Sequence, residues 1–466
     1  MKFIGREREL GELNEMYERD KFGLFILYGR RRVGKTTLLN RFCEGKEAIF
    51  YSAEQSSPAL NLEKFSRRIF DYYGESTLEP FGSWTNALAY IDERQAGRRI
   101  VLIIDEFPYI IKNNGAILSE FQHIIDHRLV KGKIFMVLCG SYMSVMEKEV
   151  LGSKSPLFGR RTGQLHLKPF DYKSSLGFMD GFGLEEQIAL YGAFGGTPLY
   201  LEQIDPGKSF EENIRHEYLR STAYLFEEPQ LLLRQEVREP GIYNAIIEAI
   251  ASGAAKVNEI STKIGEEGAK CLKYINTLCE LGILYKETPL GEKESGRRTI
   301  YGISDLMFRF WYRYVFANKS LIETGAADAV WKCRIEKDYS LYMGQVFEKV
   351  CRDYLMRKNA KGELPFLFTS IGRWWGTDPA SHEQVEIDII ADDGRDYLLC
   401  ECKWTNEKAD RGVIEGLMRK ADVFRKKRGR TFFLIFSKSG FTSGAVQAAE
   451  EDPRILLLGP EELVNV

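Results

Sequence analysis

Residues 29–36, which read GRRRVGKT, constrain the fold of this chain more than any other segment. They stand between an apolar run, FGLFILY, and a helical pattern that begins with TTLLNRF. Glycines in such a position let successive backbone N–H groups turn inward onto a phosphate at the N-terminus of the helix. Because Lys35 can then span the β- and γ-phosphates and the Thr36 hydroxyl can reach Mg²⁺, the segment predicts a nucleotide-binding loop. The expected nucleotide ligands in it are Gly29, Arg32, Val33, Gly34, Lys35, Thr36 and Thr37.

Short apolar runs alternate with helical patterns from residue 22 to residue 167, which is typical of a parallel sheet flanked by helices. The five runs are FGLFILY (22–28), AIFYSA (48–53), IVLIIDE (100–106), IFMVLCG (134–140) and LHLKPF (165–170). Five strands joined by crossovers predict one α/β domain around the loop.

Polar side chains end two of these runs. Asp105 and Glu106 close the run VLIIDE, and Ser141 follows the run IFMVLCG. Ligands of open α/β sheets bind at the C-terminal ends of the strands, so these side chains are expected at the nucleotide. We expect Asp105 to hold Mg²⁺ through water and Glu106 to polarise the attacking water. Ser141 either senses the γ-phosphate or caps the helix that follows.

The amino-acid composition limits the classes of protein to which this chain can belong. The 466 residues predict about three domains at a prior of ~150 residues each, and 44% hydrophobic with 28% charged residues excludes disordered, collagen-like and coiled-coil chains. The net charge of −2 supplies no global field, so nucleic acid or membrane binding requires local patches. No apolar run reaches the ~18 residues of a membrane span. We therefore expect a cytoplasmic protein whose eight cysteines, none in a CxxC pair, are reduced core residues.

Six short segments together form a specific pattern. They are FIGREREL (3–10), the loop 29–36, the DE pair, GS (140–141), LFGRR (157–161) and GGTP (195–198). This pattern resembles the archaeal-type ATPases of the STAND/AAA+ group over residues 2–239. The resemblance implies an ASCE-type P-loop NTPase core with an AAA+-like parallel sheet, followed by a helical lid.

The resemblance also assigns roles that the residues alone do not. It implies that the N-terminal GRExEL segment lines the adenine pocket and that the GGTP turn touches the nucleotide. It further implies that Arg160 or Arg161 acts as an arginine finger. From the residues alone, we interpret this pair as part of a solvated turn. The residues placed at the nucleotide in this way are Ile4, Gly5, Arg6, Gly196, Thr197 and Pro198.

The middle of the chain changes pattern twice. After the core (1–182), residues 183–239 lose strand character and are expected to form a helical lid. Residues 240–304 give three short helical patterns and a hairpin around GEKESGRR, which is the order of a winged helix-turn-helix. Residues 305–340, with FRFWYRYVF, are expected to be a packed helical connector to a tail at 341–466.

The tail is expected to be a second α/β unit, with a strand PFLFTS, a hairpin, a helix at 409–428, a strand TFFLIFS and a closing helix, strand and helix. Asp388 lies in VEIDII, and Glu401 and Lys403 lie in LLCECKW. Residues two apart on a strand share a face, and a hairpin partner can bring Asp388 beside them. Two carboxylates and a lysine suit a divalent metal and a charge stabiliser near a scissile phosphate.

This order of elements resembles the PD-(D/E)xK, restriction-endonuclease-like nuclease fold, with Glu348 in GQVFE as the acid of the first helix. The whole tail, including IGRWW (371–375), resembles the DUF234 extension often fused to these ATPases. The resemblance implies a second Mg²⁺ or Mn²⁺ site at Glu348, Asp388 and Glu401. The pattern departs from the nucleases at Ile387, where a proline is usual. An active nuclease, a retained fold without activity and a surface salt-bridge ladder all remain open.

Two basic clusters are candidate nucleic-acid contacts. We expect the first cluster on one helix, where it either binds the phosphate backbone or is a solvated helix end. It consists of Arg419, Lys420, Arg425, Lys426, Lys427, Arg428 and Arg430. The second lies in the winged helix and consists of Lys263, Lys270, Lys273, Arg297 and Arg298. Acids dilute the second cluster, so DNA binding and protein docking both remain open for it.

His123 and His127 stand four residues apart on a predicted helix, a spacing that can bind a metal. No glutamate follows His123 in an HExxH pattern, and we interpret the pair as a solvated helix face.

The sequence thus predicts a Mg-dependent, ATP-hydrolysing switch that controls a winged-helix and nuclease-like module acting on DNA. The alternative is a STAND-type regulatory ATPase whose winged helix and inactive tail bind partners, protein among them. An arginine finger can act within one chain or from a neighbour, so oligomers are compatible with both. The expected catalytic residues are Lys35, Glu106, Ser141, Arg160 and Lys403.

Overall fold

The computed structural model describes residues 3–75, 77–112, 114–293, 298–424 and 429–464. These residues fall into two units. The first comprises Met1–Pro169 with Thr197–Leu199, and the second comprises Phe170–Gly196 with Tyr200–Val466. The five-part division expected from the sequence is finer than this and stays a prediction.

A parallel sheet in the order β2-β3-β4-β1-β5 forms the centre of the first unit. This confirms the expected parallel sheet and its flanking helices. The strands are β1 (Gly23–Tyr28), β2 (Ala48–Ser52), β3 (Ile100–Asp105), β4 (Ile134–Gly140) and β5 (Gly163–His166). The helices are α1 (Glu7–Glu18), α2 (Lys35–Cys43), α3 (Pro58–Tyr73), α4 (Trp84–Gln95), α5 (Pro108–Ile111), α6 (Ala116–His127) and α7 (Met143–Val145).

Burial explains why these runs form strands. Every residue of β1, β3 and β4 is buried, as expected for central strands covered on both faces. The fifth strand lies two residues before its predicted start and ends at His166, not at residue 170. Leu167 still donates a backbone hydrogen bond to Tyr28, but Pro169 has no N–H to extend the ladder.

The second unit begins with helices, as the sequence predicts. Helix α10 crosses the division, since Pro198 and Leu199 belong to the first unit. The helices up to the hairpin are α8 (Tyr172–Ser175), α9 (Leu184–Phe194), α10 (Pro198–Leu201), α11 (Phe210–Tyr218), α12 (Glu228–Glu236), α13 (Pro240–Ala251), α14 (Val257–Ile264) and α15 (Gly268–Glu280). Strands β6 (Leu284–Glu287) and β7 (Ile300–Ile303) then pair antiparallel, so the three predicted helices and hairpin are present.

The aromatic connector is a packed helical segment, as expected. Trp311 is fully buried and its indole N–H donates to the Phe226 carbonyl at 2.8 Å. The Tyr342 hydroxyl, buried as well, donates to the Gly192 carbonyl on α9 at 2.6 Å. The helices of this stretch are α16 (Leu306–Phe310), α17 (Lys319–Glu323), α18 (Ala327–Val330) and α19 (Glu336–Ala360). Along the whole chain, short 3₁₀-helical turns lie at Leu129–Lys131, Leu176–Phe178 and Phe316–Asn318. Single π-helical turns lie at Met146–Val150, Trp311–Val315 and Trp331–Ile335.

The tail contains a mixed sheet in the order β12-β11-β10-β9-β8. Neighbours from β8 to β10 pair antiparallel, and those from β10 to β12 pair parallel. The strands are β8 (Ser370–Thr377), β9 (Gln384–Asp392), β10 (Tyr397–Lys403), β11 (Thr431–Ser437) and β12 (Ile455–Leu458). The helices are α20 (Arg411–Val423), α21 (Ser443–Glu451) and α22 (Pro460–Val464).

Two predictions for the tail were wrong in position. PFLFTS is not the first strand, because the Asn359 side chain bonds both the N–H and the carbonyl of Phe368 and holds that stretch outside the ladder. The helix predicted at 409–428 begins at Arg411, where Asp410 caps it, and ends at Val423, after which Phe424 leaves helical geometry with ψ 84°. Residues 425–428 lie outside the described residues.

The cysteines are free thiols, and most are at least half-buried as expected. Cys333 is the exception, because it lies on the exposed side of a turn whose Trp331 and Ile335 face the interior. None of the helices described here is both long and apolar enough to cross a membrane.

Phe135 tests the core of the first unit. It is fully buried on β4, and its ring lies 5.7 Å from that of Phe42 and 6.3 Å from that of Phe25. We expect Phe135→Ala to lower the free energy of unfolding by about 3–5 kcal/mol, because it removes apolar burial and leaves a cavity. Urea denaturation of the full chain measures this. Val130→Ala, at a side chain 55% exposed, is the control, and an equal loss there would contradict the assignment.

Candidate functional site

The loop between β1 and α2 has the backbone geometry of a phosphate cradle. Gly34 adopts φ 89° immediately before the helix, a conformation that favours glycine. A Cβ on Gly29 would lie 2.3 Å from the Leu167 carbonyl oxygen, so no larger residue fits there. Arg32 adopts φ 71° although it carries a side chain, and Val33 is fully buried. The N–H groups at the start of α2 therefore face the space that the loop encloses.

Lys35 and Thr36 connect the loop to the sheet. The Lys35 ammonium is buried and donates to the carbonyls of Gly29 and Arg30 at 2.8 and 3.1 Å. The Thr36 hydroxyl donates to Asp105 Oδ2 at 2.9 Å, and Thr37 is exposed beside it. Thr36 and Asp105 thus present two adjacent oxygens of the kind that Mg²⁺ prefers, and the predicted ion fits this donor set.

Glu106 is held in an unusual conformation next to this pair. Its φ is 50°, its N–H donates to Asp105 Oδ1 at 2.8 Å, and the Ser141 hydroxyl donates to its Oε1 at 2.8 Å. The second carboxylate oxygen is buried and has no hydrogen-bond partner within the described part of the chain. A residue kept in a sparsely populated backbone region is typical of functional sites. Ser141 positions Glu106 here.

The N-terminal GRExEL segment lies against the loop. Arg6 is buried and donates to the carbonyls of Val33 and Lys168 at 3.2 and 2.6 Å, with Glu9 as its ion-pair partner. Gly5 precedes it with φ 64°, and Ile4 is half-buried. The structure thus brings this segment to the loop, while its contact with adenine stays a prediction.

The GGTP turn also reaches the loop. The buried Arg30 donates to the hydroxyl of the buried Thr197 at 3.2 Å, and Pro198 is 3.6 Å from the Cβ position of Gly34. Gly196 has no room for a side chain, because a Cβ there would lie 1.8 Å from the Phe170 carbonyl oxygen. Sequence reasoning left Arg30 unassigned, and the structure pairs it with Thr197.

The side chains of Arg160 and Arg161 contact residues outside the loop 29–36. The Arg160 guanidinium makes a two-pronged ion pair with Asp126 at 2.7 Å and donates to the Pro156 carbonyl. The hydrogen bond from Arg160 holds the pKa of Asp126 below its usual range. Arg161 donates to the Leu151 carbonyl at 3.4 Å. An arginine-finger role for either residue stays a prediction.

A cluster that sequence reasoning missed surrounds Arg31. Its guanidinium donates to the Tyr109 hydroxyl at 3.0 Å and lies 5.1 Å from the ring centre of Tyr142. The two tyrosine rings are 5.5 Å apart and nearly perpendicular. Tyr109 follows Glu106 by three residues and Tyr142 follows Ser141 directly, a spacing that is visible in the sequence only once β3 and β4 are known to be neighbours.

In the tail, β9 and β10 bring the predicted carboxylates together. Asp388 Oδ2 accepts the backbone N–H of Cys402 at 2.8 Å. Glu401 is buried and accepts from the ammonium groups of Lys403 and Lys420, both at 2.7 Å. The predicted shared face of Glu401 and Lys403 is confirmed, and Lys420 on α20 is a second partner. Two lysines therefore neutralise a carboxylate that was expected to bind metal.

Glu348 and Asp388 line a cavity of about 590 Å³ within the second unit. Burial raises the pKa of Glu348 well above its usual range, and the nearby Asp388 raises it further. Burial and then Glu401 raise the pKa of Asp388 in the same way. Burial and mutual repulsion both favour the protonated form of these carboxyl groups. Across the described residues, however, no three Asp, Glu, His or Cys side chains are grouped as metal ligands, and the three-carboxylate site stays a prediction.

The segment that follows β6 forms the opposite wall of this cavity. Leu290 donates its N–H to the Arg373 carbonyl at 2.9 Å and packs against the core of the tail. Its Cδ1 is 3.3 Å from the Cβ position of Gly372 on β8. Residues 287–292 thus line the same cavity as Glu348 and Asp388. This part of the predicted hairpin therefore lies beside two of the three carboxylates that were predicted to bind metal.

The basic clusters are only partly free of partners. Arg419 is exposed on α20, but Lys420 binds Glu401 and Arg430, outside the helix, binds Asp396 at 2.6 Å. The four basic residues between them, Arg425, Lys426, Lys427 and Arg428, lie outside the described residues, so the predicted basic helix 419–430 is not seen as one element.

In the three-helix and hairpin segment, Lys270 pairs with Glu266 at 3.0 Å and Arg298 pairs with Glu292. Lys263 donates to the Ser252 hydroxyl at 2.5 Å, while Lys273 is exposed and Arg297 lies outside the described residues. His123 and His127, on the first unit, are both exposed on α6, as expected.

The comparisons with known proteins agree with this geometry. Residues 3–204 match the family described as an ATPase domain predominantly from Archaea, and residues 311–414 match DUF234, described as archaeal and bacterial proteins of unknown function. The chain is 35% identical over 429 residues, 91% of its own length and 92% of the other, to an uncharacterized protein of Methanocaldococcus jannaschii. The chain therefore belongs to the archaeal-type P-loop ATPases that carry a C-terminal DUF234 domain.

Two further likenesses cover part of the chain. An uncharacterized ATP-binding protein of Methanocaldococcus jannaschii is 25% identical over 262 residues, which are 46% of this chain and 72% of that protein. The Walker-type ATPase of Pyrococcus abyssi is similar in structure, with a TM-score of 0.50 and 20% identity over 67% of this chain and 96% of the other. The fold is thus a parallel-sheet P-loop NTPase with a separate C-terminal α/β sheet.

Glu348 gives a pH-dependent test of the tail cavity. Its raised pKa means that the protonated acid stabilises the fold at low pH and that this contribution is lost as pH rises through the raised value. We expect Glu348→Gln, which stays neutral, to be near wild-type stability at pH 4 and more stable by at least about 1 kcal/mol at pH 8. Denaturation with a chelator present measures this.

Glu336→Gln, at an exposed position on the same helix, is the matched control. A gain at pH 8 that is the same for both variants would show that burial at Glu348 is not its cause.

Proposed function

We propose that this protein is a Mg-dependent ATPase whose nucleotide state controls a nuclease-like module that acts on DNA. The observation that carries the first half is the continuous chain of hydrogen bonds from Thr36 through Asp105 and Glu106 to Ser141. It joins the loop that would hold the phosphates to the carboxylate that would orient water. A relative described as an ATP-binding protein supports the same ligand.

Several residues of the first unit would each have a separate role in hydrolysis. The N–H groups at the start of α2 and the Lys35 ammonium bind the β- and γ-phosphates. Thr36 and Asp105 would hold Mg²⁺, which offsets charge on the phosphate oxygens. Glu106, kept in place by Ser141 and by its own backbone bond to Asp105, orients the attacking water and draws its proton away. Arg6 and Thr197 fix the edges of the loop.

Control of the second unit would pass through the GGTP turn. Thr197 contacts Arg30 of the loop, and its neighbour Gly196 accepts the backbone N–H of Phe170 in the second unit. The chain is continuous through these residues, so a movement of Thr197 on loss of the γ-phosphate pulls directly on Gly196. A switch of this kind needs such a group beside the nucleotide.

The nuclease-like half rests on the tail sheet. Glu348 on α19 and Asp388 on β9 line one cavity, and Glu401 and Lys403 lie on the neighbouring strand β10. Antiparallel β8, β9 and β10 followed by parallel β11 and β12 is the order expected of a restriction-endonuclease-like domain, and the three helices with a hairpin would serve as a winged helix. Lys403 would stabilise charge on a scissile phosphate.

A second candidate is a regulatory ATPase whose tail binds partners without cleaving. One observation favours it, namely that Glu401 is already neutralised by Lys403 and Lys420. A carboxylate satisfied by two lysines gains less from a cation than an unpaired one does.

Glu106→Gln tests the ATPase. We expect this variant to bind ATP as tightly as wild type but to hydrolyse it at least about 100-fold more slowly, because an amide cannot take a proton from the attacking water. Lys35→Ala should instead lose nucleotide binding, since the phosphates lose their point charge. Equilibrium binding and phosphate release measure the two effects. Hydrolysis by Glu106→Gln at the wild-type rate would contradict the proposed role.

Asp388→Asn tests the tail. We expect wild-type protein with Mg²⁺ or Mn²⁺ to cleave plasmid, single-stranded DNA or RNA, and this variant to lose cleavage while ATP turnover is unchanged, because its site lies in the other unit. Glu415→Gln, at an exposed acid of α20, is the control and should cleave normally. Wild-type protein that cleaves none of these substrates, with or without ATP, would favour the partner-binding candidate.

A further inference from the structure

Arg31 lies where the loop faces the tips of β3 and β4. Its guanidinium donates to the Tyr109 hydroxyl at 3.0 Å and stacks on Tyr142 at 5.1 Å. The Tyr109 and Tyr142 hydroxyls are 3.4 Å apart, and the Lys112 ammonium lies 5.5 Å from the ring centre of Tyr142. Both tyrosines are within three residues of Glu106 and Ser141, the pair that would orient the attacking water under the proposed function.

Electrostatics place the Arg31 charge near the water-orienting carboxylate. Burial lowers the pKa of Arg31, but the Tyr109 hydroxyl and the charge of Glu106 outweigh this and raise it overall. Burial raises the pKa of Tyr142, so its ring stays neutral beside the guanidinium. Arg31 is therefore a fixed positive charge at the end of the loop where Glu106 stands.

Arg160, by contrast, is held elsewhere. Its two terminal nitrogens and Nε are taken by Asp126, Pro156 and Phe158. Moving it to the loop breaks a two-pronged ion pair, whereas Arg31 already lies in the loop itself. For hydrolysis within one chain, Arg31 therefore supplies a positive charge beside Glu106, and Arg160 is not needed for it.

We propose that Arg31 is a catalytic residue of this ATPase, contacting the γ-phosphate from within the loop, and that Tyr109 is its positioning residue. This inference rests on the proposed ATPase function. In the reaction, the water oxygen bonds to the γ-phosphorus, the bond from that phosphorus to the bridging oxygen breaks, and its electron pair leaves with ADP. One water proton passes through Glu106 to solvent. Negative charge grows on the bridging and γ-phosphate oxygens, and the planar guanidinium donates to them.

The experiment compares Arg31→Ala, Arg31→Lys and Tyr109→Phe with wild type in the full chain. Arginines that stabilise this transition state are worth about 10³-fold or more in kcat, so we expect a loss of that order for Arg31→Ala and a smaller loss for Arg31→Lys. Tyr109→Phe should lower kcat several-fold with KM unchanged. Arg67→Ala, at an exposed arginine of α3, is the matched control with unchanged turnover.

Binding separates contact with the γ-phosphate from general damage to the loop. ADP affinity should be the same for wild type and Arg31→Ala, which also shows that the variant folds. Tight binding of ADP with fluoroaluminate, a mimic of the transferring phosphoryl group, should be lost in Arg31→Ala. Retained fluoroaluminate binding with turnover within about threefold of wild type would overturn the proposal, as would such turnover in Arg31→Ala alongside a large loss in Arg160→Ala.

Failure of the ATPase function itself gives a different result. If wild-type protein binds ATP but does not hydrolyse it, the proposed function fails, and a slowly hydrolysed ATP analogue then decides the inference. Loss of the preference for that analogue over ADP in Arg31→Ala supports contact with the γ-phosphate. An unchanged preference overturns it.

Discussion

The hydrogen bond from the Thr36 hydroxyl to Asp105 is the interaction on which the nucleotide site depends. It fixes the start of α2 against the end of β3, and the other oxygen of the same carboxylate accepts the N–H of Glu106. That second bond keeps Glu106 at φ 50°, a conformation that costs on the order of 1 kcal/mol for a residue with a side chain. One aspartate thus sets both the loop and the direction of Glu106, the carboxylate proposed to orient water, and Ser141 completes the arrangement from β4.

The parts of this site that the sequence predicts are those encoded by adjacent residues. Glycine spacing, the strand before it and the helix after it determine the loop, and an apolar run ending in two acids determines Asp105 and Glu106. The Arg31 cluster has no such signal, because its members come from three separate segments that meet only through the sheet order β3-β4-β1. The first strand of the tail was missed for another reason: its two glycines and an arginine dilute the apolar alternation, and a register shift between Gly372 and Trp374 interrupts its pairing with β9.

The tail shows how a correct local pattern can leave chemistry undecided. Glu401 and Lys403 share a face, as their spacing requires, and Asp388 reaches them from the neighbouring strand. Lys420 arrives from a helix that follows in the chain, and the residues after β6 arrive from a segment about a hundred residues earlier. Such tertiary partners decide whether a cluster of carboxylates is charged, neutralised or covered. The hydrophobic periodicity of the sequence does not predict these partners, because they come from segments far apart in the chain.

Three residues of the GGTP turn and its helix, Thr197–Leu199, belong to the first unit while the chain on both sides belongs to the second. The polypeptide therefore passes between the units three times, after Pro169, after Gly196 and after Leu199. No single cut separates them: a fragment that ends at residue 169 lacks the hydroxyl that accepts from Arg30, and the complementary fragment retains it without the loop. Recombination that exchanges the C-terminal module must therefore join the chains after Leu199, so that this short stretch stays with the ATPase.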